Sequence, residues 1–250
     1  MTTSKIATAA RWIRDADHIL VFCGSGLSAE SGVPTFRGED GLYNDSKLLE
    51  YAHVDALRDK PDEALTWFHK VVDMLEPLRP NAGHFALARI CQSRPCTIVT
   101  QNVDRLLEQA IAQSPGSNPP AKVWHLHGSL YKAKCMDCDA PLKTMPEDLL
   151  GARCPKCGGR LRPDVVLFGE ELPEAPYLQA QGAAHVADLV LLLGTSGIVN
   201  PAAMLPGLAR SHGAKLIEIN PNPTELSALA HLTLRGPTGE LLPAIEKRIR

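Results

Sequence analysis

The chain predicts an α/β fold: a doubly wound, Rossmann-like parallel sheet with an inserted small zinc-ribbon module. Three observations predict it. Short apolar runs alternate with amphipathic stretches along most of the 250 residues. A glycine-rich turn, Gly24-Ser25-Gly26-Leu27-Ser28-Ala29, directly follows the first apolar run. Cys135, Cys138, Cys154 and Cys157 form two C-x-x-C pairs fifteen residues apart, a spacing that lets two knuckles share one tetrahedral Zn²⁺. Four thiolates leave no open coordination site, so this single zinc is expected to be structural.

In chain order, residues 18–23, 97–100, 122–126, 188–193, 215–219 and 231–234 read as buried strands. Helical periodicity covers 4–16, 63–75, 82–92 with Asn81 as N-cap, 104–113, 202–211 and 240–249. Two stretches break the rhythm. Residues 37–49 lack the second strand expected there, and 128–169 hold the cysteines, many prolines and glycines, and little periodicity. The expected division is a dinucleotide-binding domain of 1–127 and 170–250, with an irregular cofactor-loop and helical segment over 37–80, and a zinc module of 128–169.

A net charge of −2 gives no pull toward nucleic acid, and the basic residues of the cysteine-bearing stretch read equally well as a solvated ribbon surface. No apolar run has the length of a membrane span, and residues 1–14 read as a polar helix rather than a signal peptide. A cytoplasmic protein is therefore expected, with Cys23, Cys91 and Cys96 kept as thiols.

The chemistry gathers at the strand ends. The Gly24 turn suits a pyrophosphate at a helix N-terminus, yet no acidic residue follows a second strand about 20 positions on to read a ribose. Glu39, Asp40 and Asp45 lie in the irregular segment instead. A hydride-transferring dehydrogenase is thus a poor fit. Gly194-Thr195-Ser196 and Asn220 end later strands and converge on the same crevice in an open parallel sheet. Thr100-Gln101-Asn102-Val103-Asp104 offers amides and a carboxylate for a carboxamide and a ribose, with helix capping by Asn102 as the plainer reading. In His125-Leu126-His127-Gly128, alternation puts both histidines on one face, and His127 is placed to act as a general base.

Those blocks, with Ser31-Gly32-Val33-Pro34-Thr35-Phe36-Arg37, the four cysteines and Arg162-Pro163-Asp164-Val165-Val166-Leu167-Phe168-Gly169-Glu170, resemble the sirtuins, here of the bacterial type of NAD-dependent protein deacylase. The resemblance spans nearly the whole chain. It implies a reaction that consumes NAD: the carbonyl oxygen of an acyl-lysine attacks the anomeric carbon of the nicotinamide ribose, nicotinamide leaves, and an alkylimidate forms. His127 then acts as base toward a ribose hydroxyl, giving free lysine and O-acyl-ADP-ribose. By the same resemblance, Asn102 and Asp104 join His127 as catalytic residues. Gly24, Ser25, Gly26, Ser28, Phe36, Arg37, Gln101, Asn102, Asp104, Gly194, Thr195, Ser196, Asn220 and Thr238 are expected to contact NAD. Phe68, Val71, Val166, Phe168, Gly169 and Glu170 are expected at the acyl-lysine and peptide site, Gly169 and Glu170 by strand addition. The implied partners are acyl-lysine proteins, not nucleic acid or membrane.

The departures are informative. Ser25 replaces a usual alanine, Thr35 a frequent aspartate, and Leu107 a frequent histidine, for which a packing change is expected. Members preferring succinyl- or malonyl-lysine carry a tyrosine and, three residues on, an arginine; Phe68 and Val71 occupy those positions. Burying a free carboxylate there without a partner costs several kcal/mol, which predicts removal of acetyl and longer apolar groups and rejection of acidic ones. The alternative within the same pocket is protein mono-ADP-ribosyl transfer or NAD hydrolysis.

Overall fold

A computed structural model describes residues 2–35, 46–114 and 121–249. All six expected strands form: β1 (Ile19–Cys23), β2 (Cys96–Thr100), β3 (Lys122–His125), β7 (Leu189–Leu193), β8 (Lys215–Ile219) and β9 (Leu232–Leu234). They build one parallel sheet in the order β3-β2-β1-β7-β8-β9. The chain runs outward from β1 in one direction, then restarts beside it at β7. That reversal is the switch point of a doubly wound sheet, where loops diverge and a ligand crevice opens.

The strands read as unbroken apolar runs because both faces are covered. Ile19, Val21 and Cys23 pack with Ile98, Leu191 and Ile217 under α1 (Thr2–Asp15), α5 (Ala82–Ser93) and α9 (Thr238–Ile249). Leu20 and Phe22 face the other way, with Val190, Leu192 and Leu216, under α7 (Glu174–Val186) and α8 (Leu205–Ser211). Helix α7 was absent from the expected helices. Pro176 in its first turn, Gly182 in its middle and its many alanines blur the apolar period. The remaining helix on the sheet, α6 (Leu106–Ala112), is shorter than its pattern suggested, and Leu107 is buried in the first core layer.

Residues 128–169 are more regular than their composition suggested. Strands β4 (Gly128–Cys135), β5 (Pro141–Leu142) and β6 (Leu161–Val165) form an antiparallel sheet ordered β5-β4-β6. Of the helices α2 (Ser46–Tyr51), α3 (Val54–Asp59) and α4 (Pro61–Leu75), the last two share an apolar cluster with it. Leu57, Leu65 and Phe68 pack in that cluster with Leu130, Leu161 and Val165.

The glycine turn departs from expectation. It opens into two 3₁₀ turns, Ser25–Leu27 and Ala29–Ser31, rather than an α-helix, so no α-helix N-terminus faces the crevice at this point. Its glycines serve backbone approach instead. Gly26 N–H donates to the Gly194 carbonyl at 2.9 Å, and a Cβ on Gly26 would stand 2.7 Å from Gly194 Cα. Gly194 itself has φ +55°, and its Cβ would meet Gly26 C at 2.4 Å. Phe36, Arg37, Glu39, Asp40 and Asp45 lie outside the described residues.

These contacts predict opposite outcomes for two glycines. Gly194→Ala is expected to lower the free energy of unfolding in urea by about 2 kcal/mol or more, from left-handed strain plus backbone collision. Gly182→Ala, with open space around the added methyl in a helix interior, is expected to raise it by about 0.5–1 kcal/mol.

Candidate active site

The crevice beyond the ends of β1, β2 and β7 opens into a cavity of about 1470 Å³. One end is polar: Gly24, Ser25 and Gly26 from β1, Gln101, Asn102 and Asp104 from β2, and Thr195 and Ser196 from β7, with Gly194 and Asn220 beside them. The other is apolar, with Trp67, Phe68, Val71 and Leu75 from α4 facing Val166 and Phe168. Phe68, Val71 and Leu75 share one helix face, while Lys70 is exposed and does not line the cavity. Among the described residues no lysine or arginine lines it.

Behind the polar end lies a hydrogen-bonded network whose directions can be assigned. Asn81 N–H donates to His84 Nδ1 at 3.2 Å, so the ring proton sits on Nε2, which donates to Ser28 Oγ at 3.2 Å. Burial brings the His84 pKa down to about 4, keeping the ring neutral. The Ser28 hydroxyl also holds down the pKa of the Asp104 carboxylate against burial. Ser28 Oγ accepts as well from Asn102, whose Nδ2 lies 3.2 Å away. The Asn102 backbone is held too, the N–H by Thr100 Oγ1 at 3.0 Å and the carbonyl by His125 Nδ1 at 3.1 Å. Asn102 Oδ1 is left buried with no hydrogen-bond partner among the described residues. A buried amide oxygen without a donor is costly, so this atom marks where a ligand donor belongs. Asp104 is itself buried, which raises its pKa against the Leu106 amide and Ser28 hydroxyl.

His127 ends the run after β3 and lines the cavity. Its Nδ1 lies 3.1 Å from the Gln101 carbonyl, which can only accept, so Nδ1 carries the proton and Nε2 the lone pair. Burial lowers its pKa despite that carbonyl. The neutral form needed by a base is thus favoured. Gln101 is fixed in turn: its N–H donates to Cys23 O at 2.9 Å and its side chain to Thr195 Oγ1 at 2.8 Å, while Asn220 Nδ2 donates to Thr195 O at 3.1 Å.

At the rim, Phe168 pairs through its backbone with Ala52 and Val54, at 2.8 and 3.0 Å. Glu170 receives Arg162 on both carboxylate oxygens, and its amide is spent on Leu167 O, so any strand added along Gly169 and Glu170 must use the segment's other backbone groups. Ser28 and Thr238 stand behind the cavity wall rather than on it; Thr238 Oγ1 reaches Gly26 O at 3.4 Å. Neither was expected there, because sequence spacing does not distinguish a wall from its support. His84 was given no role at all, although its position three residues after the N-cap Asn81 is a capping-box signal.

The four cysteine sulfurs lie within 4.8 Å of one another. Cys135–Cys157 and Cys138–Cys154 Sγ separations are 3.5 and 3.8 Å, near the edge of about 3.8 Å that four bonds of about 2.3 Å to a tetrahedral zinc require. Amides of Asp137, Lys156 and Gly159 each donate to a cysteine sulfur at 3.4 Å, as knuckles supporting thiolates do. The donor set fits one structural Zn²⁺.

Residues 24–201 match the Sir2 family. The chain belongs to that family. It is 41% identical over 239 residues to an NAD-dependent protein deacylase of Mycolicibacterium paratuberculosis, covering 93% of this chain and 98% of that protein. Among solved structures it is similar to a Sir2 homologue–NAD complex (TM-score 0.85, 35% identity, 97% and 93% of the two chains). It is similar also to Sir2Af2 bound to a myristoylated histone peptide (TM-score 0.75, 28% identity, 98% and 96%). Against this Sir2 background, the Cys₄ set and the switch-point cavity are parts of one architecture. Among the described residues no helix is long and apolar enough to cross a membrane.

Removing the metal from this Sir2 chain with a strong chelator is expected to release one zinc per chain and to collapse the β5-β4-β6 sheet. Because β4 begins directly after His127, activity is expected to fall in parallel, and re-addition of Zn²⁺ under reducing conditions to restore both, followed by metal analysis and circular dichroism.

Proposed function

We propose that the chain is an NAD-dependent protein-lysine deacylase that removes acetyl and longer apolar acyl groups and yields nicotinamide and O-acyl-ADP-ribose. The observation that carries this reading is the pairing of two unspent acceptors at the polar end of one cavity: Asn102 Oδ1 and the lone-pair Nε2 of a neutral His127. Bound there, NAD supplies a sugar carbon that becomes electrophilic as nicotinamide departs. The chain's own residues do the rest. Asn102 Oδ1 accepts a donor from the nicotinamide half, and Asp104 contacts the carboxamide. His127 Nε2 takes the proton of a ribose hydroxyl while Gln101 O steadies the resulting imidazolium at Nδ1. Phe68, Val71, Val166 and Phe168 wall the acyl group and keep water out.

Gly24, Ser25 and Gly26 with Gly194, Thr195, Ser196 and Asn220 take the rest of the dinucleotide. Ser28 and Thr238 act by supporting that wall. Residues 128–169 form the zinc module and 1–127 with 170–250 the NAD-binding part. In this reading four of the seven cysteines hold the metal, and Cys23, Cys91 and Cys96 are kept as thiols in a reducing, cytoplasmic setting.

Mass spectrometry of acetyl-, decanoyl- and succinyl-lysine peptides, with and without NAD, tests the reading. Deacylation of the first two, dependent on NAD and reduced at least about a hundredfold in His127→Ala, is expected. A preference for the succinyl peptide contradicts the apolar assignment of Phe68 and Val71. The pH dependence has a definite sign. Because the His127 pKa is lowered, the rate is expected to hold as pH falls toward the ordinary histidine value of about 6.5 and to drop only below it.

A further inference from the structure

The other histidine of the His125-Leu126-His127 run, His125, takes no part in the chemistry above, yet it is the more elaborately held of the two. His125 closes β3, and its side chain is mostly buried beneath Asn102. Its Nδ1 lies 3.1 Å from the Asn102 carbonyl, which can only accept, so Nδ1 carries a proton. Its Nε2 meets Glu108 Oε1, from the first turn of α6. The other oxygen, Glu108 Oε2, is sealed from solvent with no partner among the described residues, although the side chain as a whole is half-exposed. A carboxylate whose second oxygen is sealed off depends heavily on the one donor it has.

We propose that His125 and Glu108 form a positioning dyad that sets Asn102. Glu108 orients the ring, and the ring clamps the Asn102 carbonyl. The Asn102 amide hydrogen and side-chain nitrogen are already committed to Thr100 and Ser28, so this clamp completes the set of restraints that aims Oδ1 into the cavity. It does for Asn102 what the Gln101 carbonyl does for His127, from the same strand end two residues earlier. The inference rests on Asn102 serving the pocket as proposed above.

The charged groups around the pair favour its ionised form. Burial pulls the His125 pKa down, but the Glu108 hydrogen bond and charge, with the Asn102 carbonyl, outweigh it and leave a net rise against an opposing Lys132. Burial pushes Glu108 up, but His125 and then Lys132 bring it below its ordinary value. Asp104 also faces His125 and favours its cation, and His84 is held neutral nearby. The two histidines thus shift in opposite directions, His127 down and His125 up. For a raised pKa the dyad's contribution is present at lower pH and is lost as pH rises through the His125 value, when one ring nitrogen is left with a lone pair against an acceptor, either the carboxylate or the Asn102 carbonyl.

Two variants and two readouts test this. Glu108→Gln keeps a hydrogen-bonding group at Nε2 without the charge, its amide able to donate to a neutral ring where the carboxylate only accepts; Glu108→Ala removes the bridge. In NMR of the resting protein, the His125 imidazole is expected to titrate above about 6.5 in wild type and below it in Glu108→Gln, with His127 unmoved. The Asn102 side-chain amide resonance is expected to shift in Glu108→Ala and stay near wild type in Glu108→Gln. In turnover, Glu108→Ala is expected to lose about tenfold or more in kcat with the acyl-peptide KM unchanged. Glu108→Gln is expected to recover most of that kcat at neutral pH while lacking the alkaline decline of wild type. An unaltered His125 titration in Glu108→Gln, or an unmoved Asn102 resonance in Glu108→Ala, overturns the dyad. Wild-type protein without turnover refutes the deacylase reading separately, since the NMR arm still judges the dyad by itself.

Discussion

The site is governed by one constraint: polar groups buried behind the cavity must find partners there, and the few left over are the ones able to meet a ligand. His84, Ser28, Asp104 and Asn102 satisfy one another almost completely. The Asn81 amide fixes the His84 tautomer, and Ser28 Oγ accepts from both His84 and Asn102. Asn102 Oδ1 is left without a partner among the described residues, and the proton on His127 Nδ1 leaves Nε2 with its lone pair. A pocket with a single polar end and an apolar remainder suits a co-substrate with a polar leaving group and a greasy acyl partner.

The scaffold supplies this arrangement through close backbone contact. Loops after β1 and β7 touch at Gly26 and Gly194, and the crevice opens where they part. From His127 the chain turns at Gly128, with φ +74°, and runs through β4 straight to the first zinc ligand, Cys135. The cysteine cluster and His127 are therefore joined by one strand. Helix α4 joins them from the other side: its buried Phe68 belongs to the small sheet's apolar cluster and also walls the cavity. Packing of the small sheet and shape of the cavity's apolar end share the same side chains.

Much of this was legible in the sequence for identifiable reasons. Strands covered on both faces give uninterrupted apolar runs, so all six parallel strands could be read, as could α5 from Asn81. The four cysteines announced their site by spacing alone. Helix α7 was hidden by Gly182 and Pro176, and β4 to β6 by the prolines, glycines and cysteines of a ribbon whose order comes from metal and cross-strand pairing rather than periodicity. The network behind the cavity was out of reach, since Ser28, His84 and Asn102 meet only through the fold. His125 was visible as the partner of His127 on one face, but Glu108, seventeen residues away on another element, was not.

Counting nicotinamide against freed lysine, with zinc-loaded protein, NAD and an acetyl-lysine peptide, tests the central claim most directly. One nicotinamide per lysine, and almost none when the peptide is left out, is the predicted result. Steady nicotinamide release without peptide, or retention of the ADP-ribose label on protein, would contradict it.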